Sequence, residues 1–377
     1  MAQSPGFEPG TVRLEGGCSI QLSYDCVFFK RSSRKIIEMA IIVNVELVIF
    51  SNIYGMNNYY MENNDSHLAK IIRSSKREFD CLILETKETV KAVCLREILK
   101  KDHLVVGDNV LIRLQQSDER YEVIELVERK NEIFRRIVRS NKKKVIASNI
   151  DLILIVSAVS NPKHKPFLID RYLARACEWE IPAVVILNKM DEFDDQFDLE
   201  LEKKKYEMIG VNCIEVSNIE SSEYYENIEK LKKLLKGMTT ICLGQSGVGK
   251  SKLISTLSGG EVELLTNRLA KGVDKGSHTT TWAEIIDLGD FLMIDSPGVR
   301  SLAVSDLPIE ELTGYFAELH SYFEKCQFSD CKHEENSKGC AFLDLDLEDD
   351  HDIIIHNRLI SYLKMRDEIE EIPEWKR

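Results

Sequence analysis

A chain of 377 residues is too long for a single core, and with 44% hydrophobic side chains it is too apolar to remain disordered. Its formal net charge of −13 excludes a uniformly basic, nucleic-acid-coating protein, so any basic surface must be local. Ten cysteines do not make a disulfide framework here, because seven are scattered singly, several in apolar runs such as Cys81, Cys213 and Cys242, and are expected to be buried, reduced thiols of a cytoplasmic protein.

Met1 to Lys30 has no clear periodicity, and Ile36 to Phe50 is apolar but interrupted by Glu38, Asn44 and Glu46. Those polar residues and its length argue against a membrane span, and it starts too late for a signal peptide. Residues 1–45 are therefore set aside as an extension, with Met39 or Met56 as alternative starts. Phe79 to Leu84, Thr89 to Leu95, Asn109 to Arg113 and Tyr121 to Leu126 read as short strands separated by polar turns such as Val106-Gly107-Asp108. They fit an OB-type barrel over 46–135, or another small barrel. Arg129, Lys130, Arg135, Arg136, Arg139, Lys142, Lys143 and Lys144 then cluster as a candidate phosphate-contacting strip or a solvated linker.

Ile181 to Leu187 is an apolar run of strand length that delivers Asn188-Lys189-Met190-Asp191. A carboxylate at Asp191 can accept both N1–H and N2–H of guanine, which adenine cannot offer. Asn188 would brace the loop, and the stem of Lys189 would cover the purine. Glu215-Val216-Ser217-Asn218 follows another apolar run and takes the place of a base-supporting loop, with Ser217 and Asn218 as candidate contacts.

Met238 to Leu243 then feeds Gly244-Gln245-Ser246-Gly247-Val248-Gly249-Lys250-Ser251, which fits the GxxxxGKS phosphate loop. Its backbone N–H groups would turn inward on the phosphates, Lys250 would reach the β- and γ-phosphates, and Ser251 would offer its hydroxyl to magnesium. Thr279, Thr280 and Thr281 form a switch segment, Thr280 being taken as the magnesium ligand. Asp295-Ser296-Pro297-Gly298 follows the strand-like Phe291 to Ile294; Asp295 would hold magnesium through water, and the Gly298 N–H would meet the γ-phosphate. Val299 comes next, where Ras-like enzymes carry a water-orienting glutamine, so unaided turnover is expected to be slow and His278 is the candidate replacement.

Cys326, Cys331, His333 and Cys340 have the composition of a closed tetrahedral zinc site, structural because four protein ligands leave no open position. The acidic run from Asp344 to Asp352 reads as a solvated loop or helix start. Ile353 to Ile369 carries apolar residues at helical spacing; Arg358 and Tyr362, one turn apart, are expected at the surface or in packing.

The motif order is base reader, base support, phosphate loop, switch threonines, then DxxG, whereas ordinary small GTPases begin with the phosphate loop. Such an order arises by circular permutation, and it leads the second switch at Gly298 directly into the following domain. From about Val48 onward the chain resembles the RsgA (YjeQ) family of circularly permuted GTPases. The resemblance rests on this order, GQSGVGKS, Gly276-Ser277-His278-Thr279-Thr280-Thr281, Asp295-Ser296-Pro297-Gly298-Val299-Arg300 and the Cys/His cluster. It implies a multi-domain α/β protein: an RNA-binding OB barrel over 46–135, a permuted P-loop GTPase domain over 136–302, and a zinc-binding helical domain over 303–377. It also implies a cytoplasmic monomer with one structural Zn²⁺ and with Mg²⁺ bound alongside GTP or GDP. Its partners would be the small ribosomal subunit and its rRNA, not a membrane, and Lys250, Thr280 and His278 would be catalytic.

Three departures from the family pattern stand out: Ser277 for arginine, Asn218 for alanine, and six rather than five residues between His333 and Cys340. Two functions remain open: an enzyme that hydrolyses GTP during late maturation of the small subunit, or a GTP-switched ribosome- or RNA-binding module whose hydrolysis is incidental.

Overall fold

Strand β1 (Ser66–Ser74) pairs antiparallel with both β2 (Glu78–Ile83) and β4 (Asn109–Leu114), and this double pairing closes a barrel in the computed structural model. The structure describes residues 66–74, 78–94, 103–115, 120–137, 142–259, 284–295 and 304–371. The extension 1–45, His278 and the switch threonines including Thr280, and Gly298 with Val299 lie outside the described residues. With β3 (Thr89–Cys94) and β5 (Tyr121–Leu126) the barrel runs β1-β2-β3-β5-β4 and back to β1. Period-two alternation fills it: Ala69 and Ile71, Phe79, Cys81 and Ile83, and Val110 and Ile112 all point inward.

A two-stranded hairpin follows, β6 (Glu132–Ile137) and β7 (Lys142–Ser148), spanning the 135/136 boundary drawn from sequence. It carries Arg135, Arg136 and Lys142 to Lys144, with Lys142, Lys143 and Lys144 exposed. Its β7 strand is tied to the barrel, where the fully buried Asp108 accepts from Ser148 Oγ at 2.6 Å and from Arg129 Nε at 2.7 Å. The β6 strand is tied elsewhere. Asp306 accepts the Arg136 backbone N–H at 2.8 Å and pairs with Arg175, while Glu178 bridges Arg136 Nε at 3.1 Å and Arg175 at 2.6 Å.

The second sheet holds β8 (Leu152–Ala158), β9 (Ala183–Asn188), β10 (Asn212–Glu215), β11 (Thr239–Leu243), β12 (Glu284–Asp287) and β13 (Leu292–Asp295). Their order is β10-β9-β8-β11-β13-β12, parallel except for β12, as doubly covered α/β sheets are built. Every residue of β8 is buried. Helices α1 (Pro166–Glu178) and α2 (Leu199–Met208) cover one face through Ile169, Tyr172, Ala176 and Tyr206. Helices α3 (Asn227–Leu235) and α4 (Lys250–Leu257) cover the other through Ile228, Leu231, Leu253 and Leu257. At one end β12 pairs with β1 through Arg73 and Glu284, so barrel and sheet are continuous.

The C-terminal region adds the short helices α5 (Ile309–Leu312) and α6 (His320–Phe323) and the long α7 (Asp350–Glu370) around Leu312, Phe316, Leu319, Phe342 and Leu359. Asp349 caps α7, its carboxylate accepting from Asp352 N, which makes the acidic run a helix start. The fully buried Asp170 of α1 joins this region to the sheet domain. It pairs with Lys205 at 3.2 Å and with Arg358 at 2.8 Å, and Ser361 Oγ donates to it at 2.6 Å; Arg358 also pairs with Glu318. Burial alone would raise the Asp170 pKa, but Lys205 and Arg358 outweigh it and hold the carboxyl below its ordinary value.

Candidate functional site

The carboxyl ends of β8, β9, β10, β11 and β13 gather the sequence-selected residues at one edge of the sheet, where ligands of open α/β folds bind. β11 leads straight into the loop from Gly244 to Gly249, and α4 begins at Lys250. Glycine is required at two points of this turn. Gly244 has φ of +147° and a Cβ there would lie 2.2 Å from Val156 O; Gly249 has φ of +94° and a Cβ would lie 2.4 Å from Asn188 Nδ2. Lys250 turns its ammonium over the loop, donating to Gly244 O at 2.6 Å and Gln245 O at 2.7 Å. Ser251 is exposed beside it. Asp295 ends β13, whose Ile294 lies opposite Ile241 of β11, so that strand emerges next to the phosphate loop.

The base-reading loop meets the phosphate loop directly. Asn188 is fully buried at the end of β9, and its Nδ2 donates to Val248 O at 2.8 Å. Its Oδ1 accepts from Asn218 Nδ2 at 2.8 Å. Ser217 is also fully buried and donates to Asp191 Oδ1 at 2.5 Å while accepting from Ile219 N at 3.0 Å, which aims the carboxylate. Lys189 takes a left-handed conformation at φ of +64°, and its ammonium reaches Asn161 O. Sequence reasoning missed this Asn161 contact, for which the only signal was an Asn-Pro turn, and missed Val248 O as the anchor, since a backbone acceptor leaves no trace in residue type.

The second candidate site is the Cys/His cluster. One ligand atom from each of Cys326, Cys331, His333 and Cys340 can be chosen so that all four lie within 4.8 Å of one another. His333 Nδ1 is 3.5 Å from Cys326 Sγ and 3.7 Å from Cys340 Sγ. A tetrahedral ion with metal–sulfur bonds of about 2.3 Å separates its ligands by roughly 3.5–3.8 Å, so the four residues fit a metal. His333 adopts φ of +58° to turn its ring into the cluster, against Phe323 at 4.8 Å and Phe342 at 5.3 Å. Burial, aided by Arg366, lowers the His333 pKa, the direction that favours the neutral imidazole a metal requires; burial pushes the Cys340 thiol up to about 12. The longer spacing between His333 and Cys340 does not pull the ligands apart.

No helix of the described residues is long and apolar enough to cross a membrane. The family model described as RsgA GTPase matches residues 126–305. A small ribosomal subunit biogenesis GTPase RsgA of Flavobacterium psychrophilum is 33% identical over 277 residues, covering 72% of this chain and 82% of that one. One of Shewanella oneidensis is 39% identical over 247 residues, 63% of this chain and 67% of that one. Among solved structures, YjeQ from Thermotoga maritima superposes with a TM-score of 0.60 at 24% identity, over 82% of this chain and all of that chain, a likeness of fold. YloQ, a circularly permuted GTPase, superposes with a TM-score of 0.60 at 22% identity, over 82% of this chain and 97% of that chain.

Proposed function

Because the chain belongs to the RsgA family of GTPases, we propose that it hydrolyses GTP while bound to the small ribosomal subunit, during late maturation of that particle in the cytoplasm. The observation that carries the reading is the bond from Asn188 to Val248 O, which brings the base reader and the phosphate loop into one site despite their reversed order in the chain. Asp191, aimed by Ser217, reads guanine; Asn188 and Asn218 brace its loop; the stem of Lys189 covers the base. The N–H groups from Gly244 to Gly249 hold the phosphates, and phosphate oxygens replace Gly244 O and Gln245 O as acceptors for Lys250. Ser251, Thr280 and Asp295 would hold Mg²⁺, which supplies charge neutralisation at the β- and γ-phosphates, and the Gly298 N–H meets the γ-phosphate. His278 orients the attacking water, a task the Val299 side chain cannot perform.

The test is GTP turnover with and without purified small subunits. We expect slow turnover alone and at least about tenfold stimulation by the subunit, which His278→Ala reduces to the unstimulated level while GTP affinity is retained. Equal turnover with and without subunits would favour the switched binding module instead.

Cys326, Cys331, His333 and Cys340 hold one Zn²⁺ that folds the C-terminal region. Cys326, Cys331 and Cys340 all pack into the same core as Phe342, Leu359 and Tyr362, so metal binding and folding are coupled there. Cys331→Ser is expected to lose the zinc and to weaken subunit binding more than nucleotide binding. Elemental analysis finding no zinc in metal-replete native protein would refute the assignment.

A further inference from the structure

Asn218 stands where the family resemblance leads one to expect alanine, and its side chain is built into the site. The hydrogen-bond directions are fixed by chemistry. Val248 O can only accept, so the Asn188 group facing it at 2.8 Å must be the amide Nδ2. Asn188 Oδ1 then faces Asn218 at 2.8 Å, and only the amide nitrogen of Asn218 complements it. Asn218 Oδ1 is left enclosed, with no hydrogen-bond partner among the described residues, so nothing pulls the amide the other way. Donors thus run from Asn218 to Asn188 to Val248, across all three nucleotide-binding loops.

The backbone reinforces this path without duplicating it. Met190 N donates to Val216 O at 3.2 Å and Val216 N to Leu187 O at 2.8 Å, which joins the base-reading and base-supporting loops to each other. Neither of these bonds reaches the phosphate loop. That link passes through the Asn188 amide, and its rotation is set by Asn218.

We propose that Asn218 is a positioning residue that registers the guanine-reading loop against the phosphate loop, so that the grip on the phosphates also holds Asp191 in place for the base. The inference rests on the GTP-binding reading above and deepens it. An alanine would leave Asn188 Oδ1, in a fully buried side chain, without this donor, and the amide would be free to rotate away from Val248 O.

The experiment measures dissociation of a fluorescent GDP, with steady-state kinetics, for wild type, Asn218→Ala and Asn218→Asp. Alanine is expected to speed GDP release about tenfold and to raise KM for GTP by the same factor with kcat within about twofold, as loss of uniform binding does. Aspartate keeps the volume but puts an acceptor against Asn188 Oδ1, so its loss should equal or exceed that of alanine. Because the link is already made without nucleotide, the nucleotide-free protein should melt only a few degrees below wild type in either variant, the cost of one unsatisfied buried acceptor. The proposal is overturned if aspartate retains GDP within about twofold of wild type, if alanine changes release by less than about threefold, or if both variants melt more than about 10 °C below wild type without nucleotide, which is loss of fold rather than of registration. Wild-type protein that fails to prefer GDP over ADP would instead overturn the GTP-binding reading itself.

Discussion

Lys250→Ala should lower GTP turnover by about 10²–10³-fold, the usual cost of removing one preorganised charge from a developing oxyanion. The ammonium already sits over the loop, 2.6 Å from Gly244 O and 2.7 Å from Gln245 O, on a helix start held by the left-handed Gly249. It therefore needs only a short swing from carbonyl oxygens to phosphate oxygens. Binding of GDP should weaken less than turnover falls, because the N–H groups of the loop remain in place. Single-turnover hydrolysis and GDP titration give the two numbers, and a loss of turnover below about tenfold would remove Lys250 from the chemistry.

Asp170→Ala is expected to destabilise the fold by about 3 kcal/mol, because it leaves the buried Lys205 with Glu202 at 3.9 Å and the buried Arg358 with Glu318 as their remaining carboxylate partners. Arg358 and Lys205 are 1% and 3% exposed, so water cannot take over the pairing. At a few degrees per kcal/mol the melting temperature should fall by roughly 10 °C. Since the folded pKa of Asp170 lies below its unfolded value, the carboxylate's contribution is complete above about pH 4 and is lost as the pH falls through the folded value. The variant and wild type should accordingly converge in stability only in strong acid. A difference below about 1 kcal/mol at neutral pH would mean that the cluster is not structural.

Strands that alternate cleanly were legible from sequence. Tyr121–Leu126 was read with its observed bounds, and the strands beginning near Phe79, at Thr89 and at Asn109 came within one residue at either end. β1 was missed because Lys70 interrupts its apolar pattern from inside the protein, where it is 7% exposed and donates to Gly107 O at 3.3 Å. β8 escaped for the opposite reason, being apolar except for Ser157, with no alternation to mark its type. The basic strip turned out to be a hairpin: its lysines dominate the composition, while Ile133, Phe134 and Ala147 do the packing. Motif residues of the candidate nucleotide and metal sites stood out in the sequence because the proposed chemistry demands particular side chains at short spacing. The Asp170 cluster had no such signature, since Ser361 lies 191 residues from Asp170 in the chain, and Arg358 passed for an ordinary helix residue.

The continuity of β12 with β1 bears on how this protein behaves when crowded. An open six-stranded sheet normally ends in two rows of unpaired N–H and C=O groups, either of which can template the strand of another molecule. Here one end runs into a barrel that closes on itself through the pairing of β1 with β4. The hairpin is guarded as well, β7 by the barrel and β6 by the Asp306 carboxylate. Among the described residues the remaining sheet edge is β10, only four residues long and bearing the Lys203–Glu215 ion pair at 3.0 Å, too short and too charged to recruit a neighbour readily. The two β-rich units thereby guard one another's edges among the described strands.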